Sequence, residues 1–121
     1  MKKKILTVDD SESIVSVVTT TLEEDYDMIG AFNAKEALEH IENTTDIQLI
    51  ITDLNMPGMD GIELIRKVRS IAAYQFTPIL MLTTESQLQK KQEAKEAGAT
   101  GWIIKPFETD KLRAVVQKVL R

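Results

Sequence analysis

Short apolar runs alternate with longer amphipathic stretches along the chain, and the two kinds of segment differ in period. Residues 4–9, KILTVD, have strand length, and Ile14, Val15, Val18 and Leu22 then recur at helical spacing. Residues 26–32, YDMIGAF, predict a second, weaker strand. Asn33 with Glu36 three residues on is a capping arrangement for a helix carrying Ala37, Leu38 and Ile41. Residues 47–53, IQLIITD, predict the third strand. Asp60 stands where it can cap the next helix, whose inward face would hold Ile62, Ile65, Val68 and Ala72. Residues 78–83, PILMLT, predict the fourth strand. The helix after it is polar, with Leu88, Ala94 and Ala97 nearly its only apolar residues, and stops at Gly98. Residues 101–105, GWIIK, predict the fifth strand, and Leu112, Val115, Val116, Val119 and Leu120 mark a last helix.

Five β-α units in strict alternation imply one parallel sheet with helices on both faces, a three-layer doubly wound α/β domain. The third and fourth strands are apolar almost throughout, as central parallel strands are, and the crossovers are expected to be right-handed. With no repeat, linker or low-complexity tract in view, residues 1–121 are read as one domain.

Composition narrows the function classes. No cysteine is present, which excludes disulfides, thiol catalysis and Cys-ligated zinc. The net charge is −4, which argues against nucleic acid as the main partner. Basic residues 2–4 resemble the start of a signal peptide, but the apolar stretch after them ends at Asp9, too soon for a signal core or a membrane span. A cytoplasmic protein without membrane contact is expected.

Four of the strands end in polar residues: Asp9 and Asp10 after the first, Asp53 on the third, Thr83 and Thr84 on the fourth, Lys105 on the fifth. In an open parallel sheet these ends share one edge, where ligands bind. Three carboxylates gathered there repel, and a hard cation relieves the repulsion. Mg²⁺ takes oxygen ligands of this kind, often together with a phosphate. Lys105 and Thr83 could serve the same phosphoryl group. The competing reading is a helix cap. It stands level for Asp10, because Ser11 and the first helix follow at once, and is weaker for Asp53, because Asp60 is better placed for the third helix.

The stretches ILTVDD, ITDLNMPGMDG, MLTT and IIKPF, in this order and spacing, resemble the receiver domain of two-component response regulators over essentially the whole chain. The strand order 2-1-3-4-5 of flavodoxin-like folds, chemotaxis regulators among them, is part of what the resemblance implies. So are the roles. Asp53 is expected to accept the phosphoryl group. Asp9, Asp10, Asp53 and the backbone carbonyl of Asn55 would hold Mg²⁺, and Thr83 and Lys105 would bond the phosphoryl group. Pro57 and Gly58 would shape the loop carrying the metal-binding carbonyl. The resemblance also points to a cis Lys105–Pro106 bond.

Asn55, Thr84 and Glu85 occupy positions that tune loss of the phosphoryl group. Asn55 and Glu85 match the chemotaxis pattern, whereas Thr84 stands where alanine or glycine is usual. Trp102 replaces the usual switch tyrosine or phenylalanine. It is expected to switch with Thr83 on an output surface of the fourth helix, fifth strand and fifth helix. The implied partners are a histidine kinase as donor and a downstream protein target, met by a monomer. The chain stops as the fifth helix ends, which favours a stand-alone receiver of the chemotaxis type. A receiver cut from a longer regulator and a single-domain phosphorelay carrier are the alternatives.

Rival classes fare worse. Aspartate-nucleophile phosphatases carry a second aspartate two residues after the first, where this chain has Asn55, so catalysis beyond the chain's own phosphoryl transfer and dephosphorylation is not expected. A nucleotide or flavin module would need a glycine-rich loop after the first strand, and DDSES has none. His40, the basic run of residues 66–69, and Lys90, Lys91 and Lys95 are read as solvated helix faces.

Overall fold

The computed structural model describes residues 2–121, apart from the side chains of Glu85 and Leu88. Five strands, β1 (Lys4–Val8), β2 (Asp27–Ala31), β3 (Ile47–Asp53), β4 (Ile79–Thr84) and β5 (Gly101–Lys105), pair in parallel in the order β2-β1-β3-β4-β5. Five α-helices connect or follow them: α1 (Glu12–Leu22), α2 (Ala34–Asn43), α3 (Gly61–Arg69), α4 (Lys91–Ala97) and α5 (Thr109–Leu120).

Strand alternation sends successive apolar residues to opposite faces, so the sheet separates two cores. Leu6, Ile50 and Met81 face α2, α3 and α4, where they meet Ile41, Ile65 and Ala94. Ile5, Leu49 and Leu82 face α1 and α5, where they meet Val18, Leu112 and Val116. This is the three-layer doubly wound architecture expected, with the expected strand order.

The helix starts follow their capping residues. Asn33 Oδ1 accepts from Glu36 N–H at 2.8 Å, and its amide donates to Glu36 Oε1 at 3.3 Å. Asp60 Oδ1 accepts from Glu63 N–H at 2.9 Å. For α1 the cap is Ser11, whose Oγ accepts from Ile14 N–H at 3.4 Å. Asp10 is thereby released from capping.

Two local expectations are corrected. Ala72 is exposed, because α3 ends at Arg69 and Ala72–Tyr74 form a 3-10 turn. Tyr74 fills the core there, 1% exposed, with its hydroxyl donating to the Thr44 carbonyl. The polar fourth helix begins as a 3-10 segment, Glu85–Lys90, and becomes α-helical only over Lys91–Ala97. It ends at Gly98, whose φ of +118° is left-handed, as a glycine after a helix allows.

Candidate functional site

The carboxyl ends of β1, β3, β4 and β5 bring the polar residues together. Asp9 is 1% exposed and Asp53 is 5% exposed, whereas Asp10 faces solvent. One carboxylate oxygen from each of Asp9, Asp10 and Asp53 lies within 4.8 Å of the other two.

Two of these carboxylates are held by backbone N–H groups as well as by a cation. Asp9 Oδ1 accepts from Ser11 N–H at 3.0 Å, and its Oδ2 accepts from Lys105 Nζ at 3.0 Å. Asp53 Oδ1 accepts from Leu54 N–H at 3.0 Å and from Lys105 Nζ at 2.9 Å. Asp53 Oδ2 has no hydrogen-bond partner among the described residues, so its lone pairs stay available.

The electrostatics follow. Burial raises the pKa of Asp53, and the charges of Asp9 and Asp10 add to the rise, while the bond and charge of Lys105 oppose it. Burial by itself would lower the pKa of Lys105, but its bonds to Asp53 and Asp9 outweigh this and raise it. One ammonium thus serves two buried carboxylates, and a third carboxylate stands beside them without it. The donors are all anionic oxygen, and the exposed Asp10 leaves a water-facing side. That set suits a hard divalent cation such as Mg²⁺.

The loop after β3 is closed back against the end of that strand. Gly61 N–H donates to the Leu54 carbonyl at 2.9 Å. A Cβ on Gly61 would stand 2.3 Å from the Asp53 carbonyl oxygen and 3.1 Å from Leu54 Cα. Only glycine lets α3 begin this close to the residue whose N–H orients the Asp53 carboxylate. Gly58 turns the loop with φ +80°, as a Pro-Gly turn does, and leaves Asn55 exposed. The Lys105–Pro106 bond is cis, as expected.

On β4, Thr83 is 6% exposed and its hydroxyl has no partner among the described residues. Beside it lies a cavity of about 10 Å³ bordered by Gln87, Lys91, Ala94 and Trp102, room for one water at most. Thr84 Oγ1 is engaged with Ser86 Oγ at 2.9 Å, and Thr84 N–H donates to Gln87 Oε1 at 2.8 Å. Glu85 opens the 3-10 segment; its side chain lies outside the described residues. Trp102 is half-buried against the core on the α2-α3-α4 side.

The sequence reading did not find Gly61, the Ser11 and Leu54 N–H groups, or Lys91. Lys91 is exposed, as read, but its ammonium also lies 4.2 Å from the Trp102 ring centroid. Its only sequence signal is its place on the polar helix beside the edge strand. Arg69, likewise read as solvated, is half-buried. His40 is half-buried on α2, away from the carboxylates.

The chain is similar to known proteins in sequence and in fold. The chemotaxis protein CheY1 of Helicobacter pylori is 37% identical over 119 residues, covering 97% of this chain and 96% of that protein. The solved structure of the chemotaxis response regulator CheY4 of Vibrio cholerae superposes with a TM-score of 0.93 at 45% identity, covering 99% of this chain and all of that one. The alkaline phosphatase synthesis transcriptional regulatory protein PhoP of Bacillus subtilis is 40% identical over 122 residues, which are 50% of its length. Residues 5–117 match the response regulator receiver domain. That match, with relatives at 37% identity over nearly the full chain, shows that the chain belongs to the response regulator receiver family.

Proposed function

We propose that the chain is a phosphoacceptor switch of a two-component system, modified on Asp53 by a histidine kinase in the presence of Mg²⁺, and that it acts in chemotaxis. The observation that carries this reading is the convergence of Asp9, Asp10 and Asp53 within 4.8 Å, with Lys105 bridging two of them. The near full-length likeness to chemotaxis regulators supports the pathway. A receiver within a longer regulator is the second reading, favoured by the comparable identity to half of the PhoP protein. Residues 1–121 act as a single receiver domain in either case. Among the described residues no helix is long and apolar enough to cross a membrane, and a cytoplasmic location is part of this reading.

In the proposed transfer, Asp53 Oδ2 attacks phosphorus. The new O–P bond forms as the P–N bond of a phosphohistidine breaks, and that electron pair leaves with the imidazole nitrogen. Mg²⁺, held by Asp9, Asp10, Asp53 and the Asn55 carbonyl, would offset charge on the phosphoryl oxygens. Leu54 N–H keeps the carboxylate plane fixed through Oδ1 while Oδ2 reacts. Lys105 Nζ, already at the site, gives the phosphoryl oxygens a cation once Asp53 is esterified. The Thr83 hydroxyl, buried without a partner, acquires one. Hydrolysis reverses the modification: water attacks phosphorus and Asp53 leaves as carboxylate. Asn55, Thr84 and Glu85 are the residues proposed to tune the rate of that hydrolysis.

The output is a protein surface of α4, β5 and α5 read by a downstream target, with Trp102 as its switch. The free space beside Thr83 is about that of one water, so an inward turn of Trp102 is expected to move the start of α4. Labelling with a small-molecule phosphodonor tests the assignment. Label should require Mg²⁺ and disappear in Asp53→Asn; full labelling of that variant at another residue would overturn it.

A further inference from the structure

The basic run of residues 66–69 divides in the structure. Arg66 is exposed and forms a 3.7 Å ion pair with Glu93 of α4. Arg69 turns inward, and its guanidinium is bonded to three backbone carbonyls. Nη1 donates to Tyr74 O at 2.9 Å and to Thr77 O at 2.6 Å, and Nη2 donates to Gly98 O at 2.8 Å. A planar guanidinium holds its donors in a fixed fork, so it can join these segments with less loss of side-chain freedom per bond than a flexible ammonium.

Gly98 completes the joint. A Cβ there would stand 2.8 Å from Arg69 Nε, so the residue that ends α4 must be glycine for contact as well as for φ. Its N–H donates to the Ala94 and Lys95 carbonyls at 3.2 and 3.0 Å. Two residues on, Thr100 N–H donates to Ile79 O at 2.8 Å, and Thr100 Oγ1 accepts from Ile79 N–H at 3.0 Å. The C-terminal end of α4 is therefore tied to α3, to the loop before β4, and to the start of β4.

The N-terminal end is held by less. It begins in the 3-10 segment, its Lys90 cap makes no side-chain bond, and Ala94 is the one buried side chain of α4 among the described residues. Among the described residues its links are the Thr84–Gln87 and Thr84–Ser86 bonds of the 3-10 segment, the Lys91 contact with Trp102 and the Arg66–Glu93 pair, the last two open to solvent screening. The end that touches Thr83 and Trp102 is the loose one.

We propose that Arg69 is a positioning residue for the output face: it pins the C-terminal end of α4, so that a change at Thr83 moves residues 84–91 and Trp102 while 94–100 stay in place. Only the trigger rests on Asp53 as phosphoacceptor; the pin does not. Hydrogen–deuterium exchange of the full chain tests it, with beryllofluoride and Mg²⁺ as the phosphoryl mimic and fluorine NMR reporting mimic occupancy. The mimic should change exchange over 84–91 and leave 94–100 unchanged. Arg69→Met should speed exchange over 94–100 by about tenfold at rest, since opening there no longer has to break the charge-assisted bond from Arg69 to Gly98 O. The same variant should bind the mimic as wild type does but lose most of the mimic-induced change in Trp102 emission, a readout that general destabilisation would not move. Arg69→Lys should recover only part of either effect.

Wild-type exchange over 94–100 shifting as much as over 84–91 would overturn the proposal. Resting exchange in Arg69→Met equal to wild type would do so too. Should Arg69→Met not fold, Gly98→Ala takes its place: it drives a Cβ into the guanidinium and must speed exchange over 94–100, or the proposal fails. Failure of wild type to bind the mimic would count against the phosphoacceptor reading and leave the resting comparison to decide the pin.

Discussion

Asp53→Asn should make the protein more stable in Mg²⁺-free buffer at neutral pH. At an effective dielectric of about 20, two unit charges at the 4.8 Å limit of the acidic cluster repel by about 3.5 kcal/mol. Asp9 opposes the Asp53 charge by about that much and the exposed, water-screened Asp10 by less, while Lys105 at 2.9 Å returns about 6 kcal/mol on the same scale, so the charges roughly cancel. Burial is then the largest cost and leaves the charged form in deficit, in agreement with the raised pKa of Asp53. The amide keeps the shape and the Leu54 N–H bond and sheds the charge. A gain of about 1–2 kcal/mol is expected, which for a domain of this size is a rise in Tm of about 4–8 °C.

The pH dependence has a fixed sign. A carboxyl whose folded pKa is raised favours the folded state when protonated. That contribution is complete below the unfolded pKa, about 3.9, and is lost as pH rises through the folded value. The advantage of the asparagine variant should therefore be largest near pH 7 and fade as pH falls toward 4. Mg²⁺ should reverse the order, since at a hundred times its Kd it stabilises whatever binds it by about 2.7 kcal/mol. Urea melts in EDTA at several pH values, repeated with Mg²⁺, supply the measurements. An asparagine variant less stable than wild type in EDTA at pH 7, or an advantage that does not change with pH, would refute the charge argument.

Beryllofluoride with Mg²⁺ should alter the emission of Trp102, the one tryptophan, and the change should shrink in Thr83→Ala; unchanged emission and anisotropy at confirmed occupancy would leave Trp102 a static cover on β5. Thr7→Val should raise stability by about 1 kcal/mol, read from the urea midpoint, because the Thr7 hydroxyl is fully buried without a partner among the described residues. Gly61→Ala should cost 2 kcal/mol or more (an order-of-magnitude figure, about that of an overpacked core site) and should also weaken Mg²⁺ binding, since the new Cβ displaces Leu54 and the Asp53 carbonyl. Titration calorimetry giving wild-type Mg²⁺ affinity in a folded Gly61→Ala would separate that glycine from the site.

Much of the fold could be read from residue order because its signals are local. Strands announce themselves as apolar runs, and the Asn33 and Asp60 caps and the Gly98 stop act within a turn of helix. The edge that gathers Asp9, Asp53, Thr83 and Lys105 was legible too. In a parallel sheet every strand ends on the same side, whatever the pairing order. The tertiary structure decided what happens between elements. Ser11 caps α1 and frees Asp10, and Lys105 bridges Asp9 and Asp53 while Asp10 stays in solvent. Tyr74 takes the buried place expected of Ala72, because α3 stops at Arg69 and the chain re-enters the core through a 3-10 turn. Arg66 and Arg69 lie on one helix, three residues apart, and in the sequence they look alike. One meets Glu93 at the surface and the other meets three carbonyls, two in the loop before β4 and one at the end of α4. A basic side chain's role is set by which groups the fold delivers to it, and those groups, Gly98 and Trp102 among them, come from elsewhere in the chain.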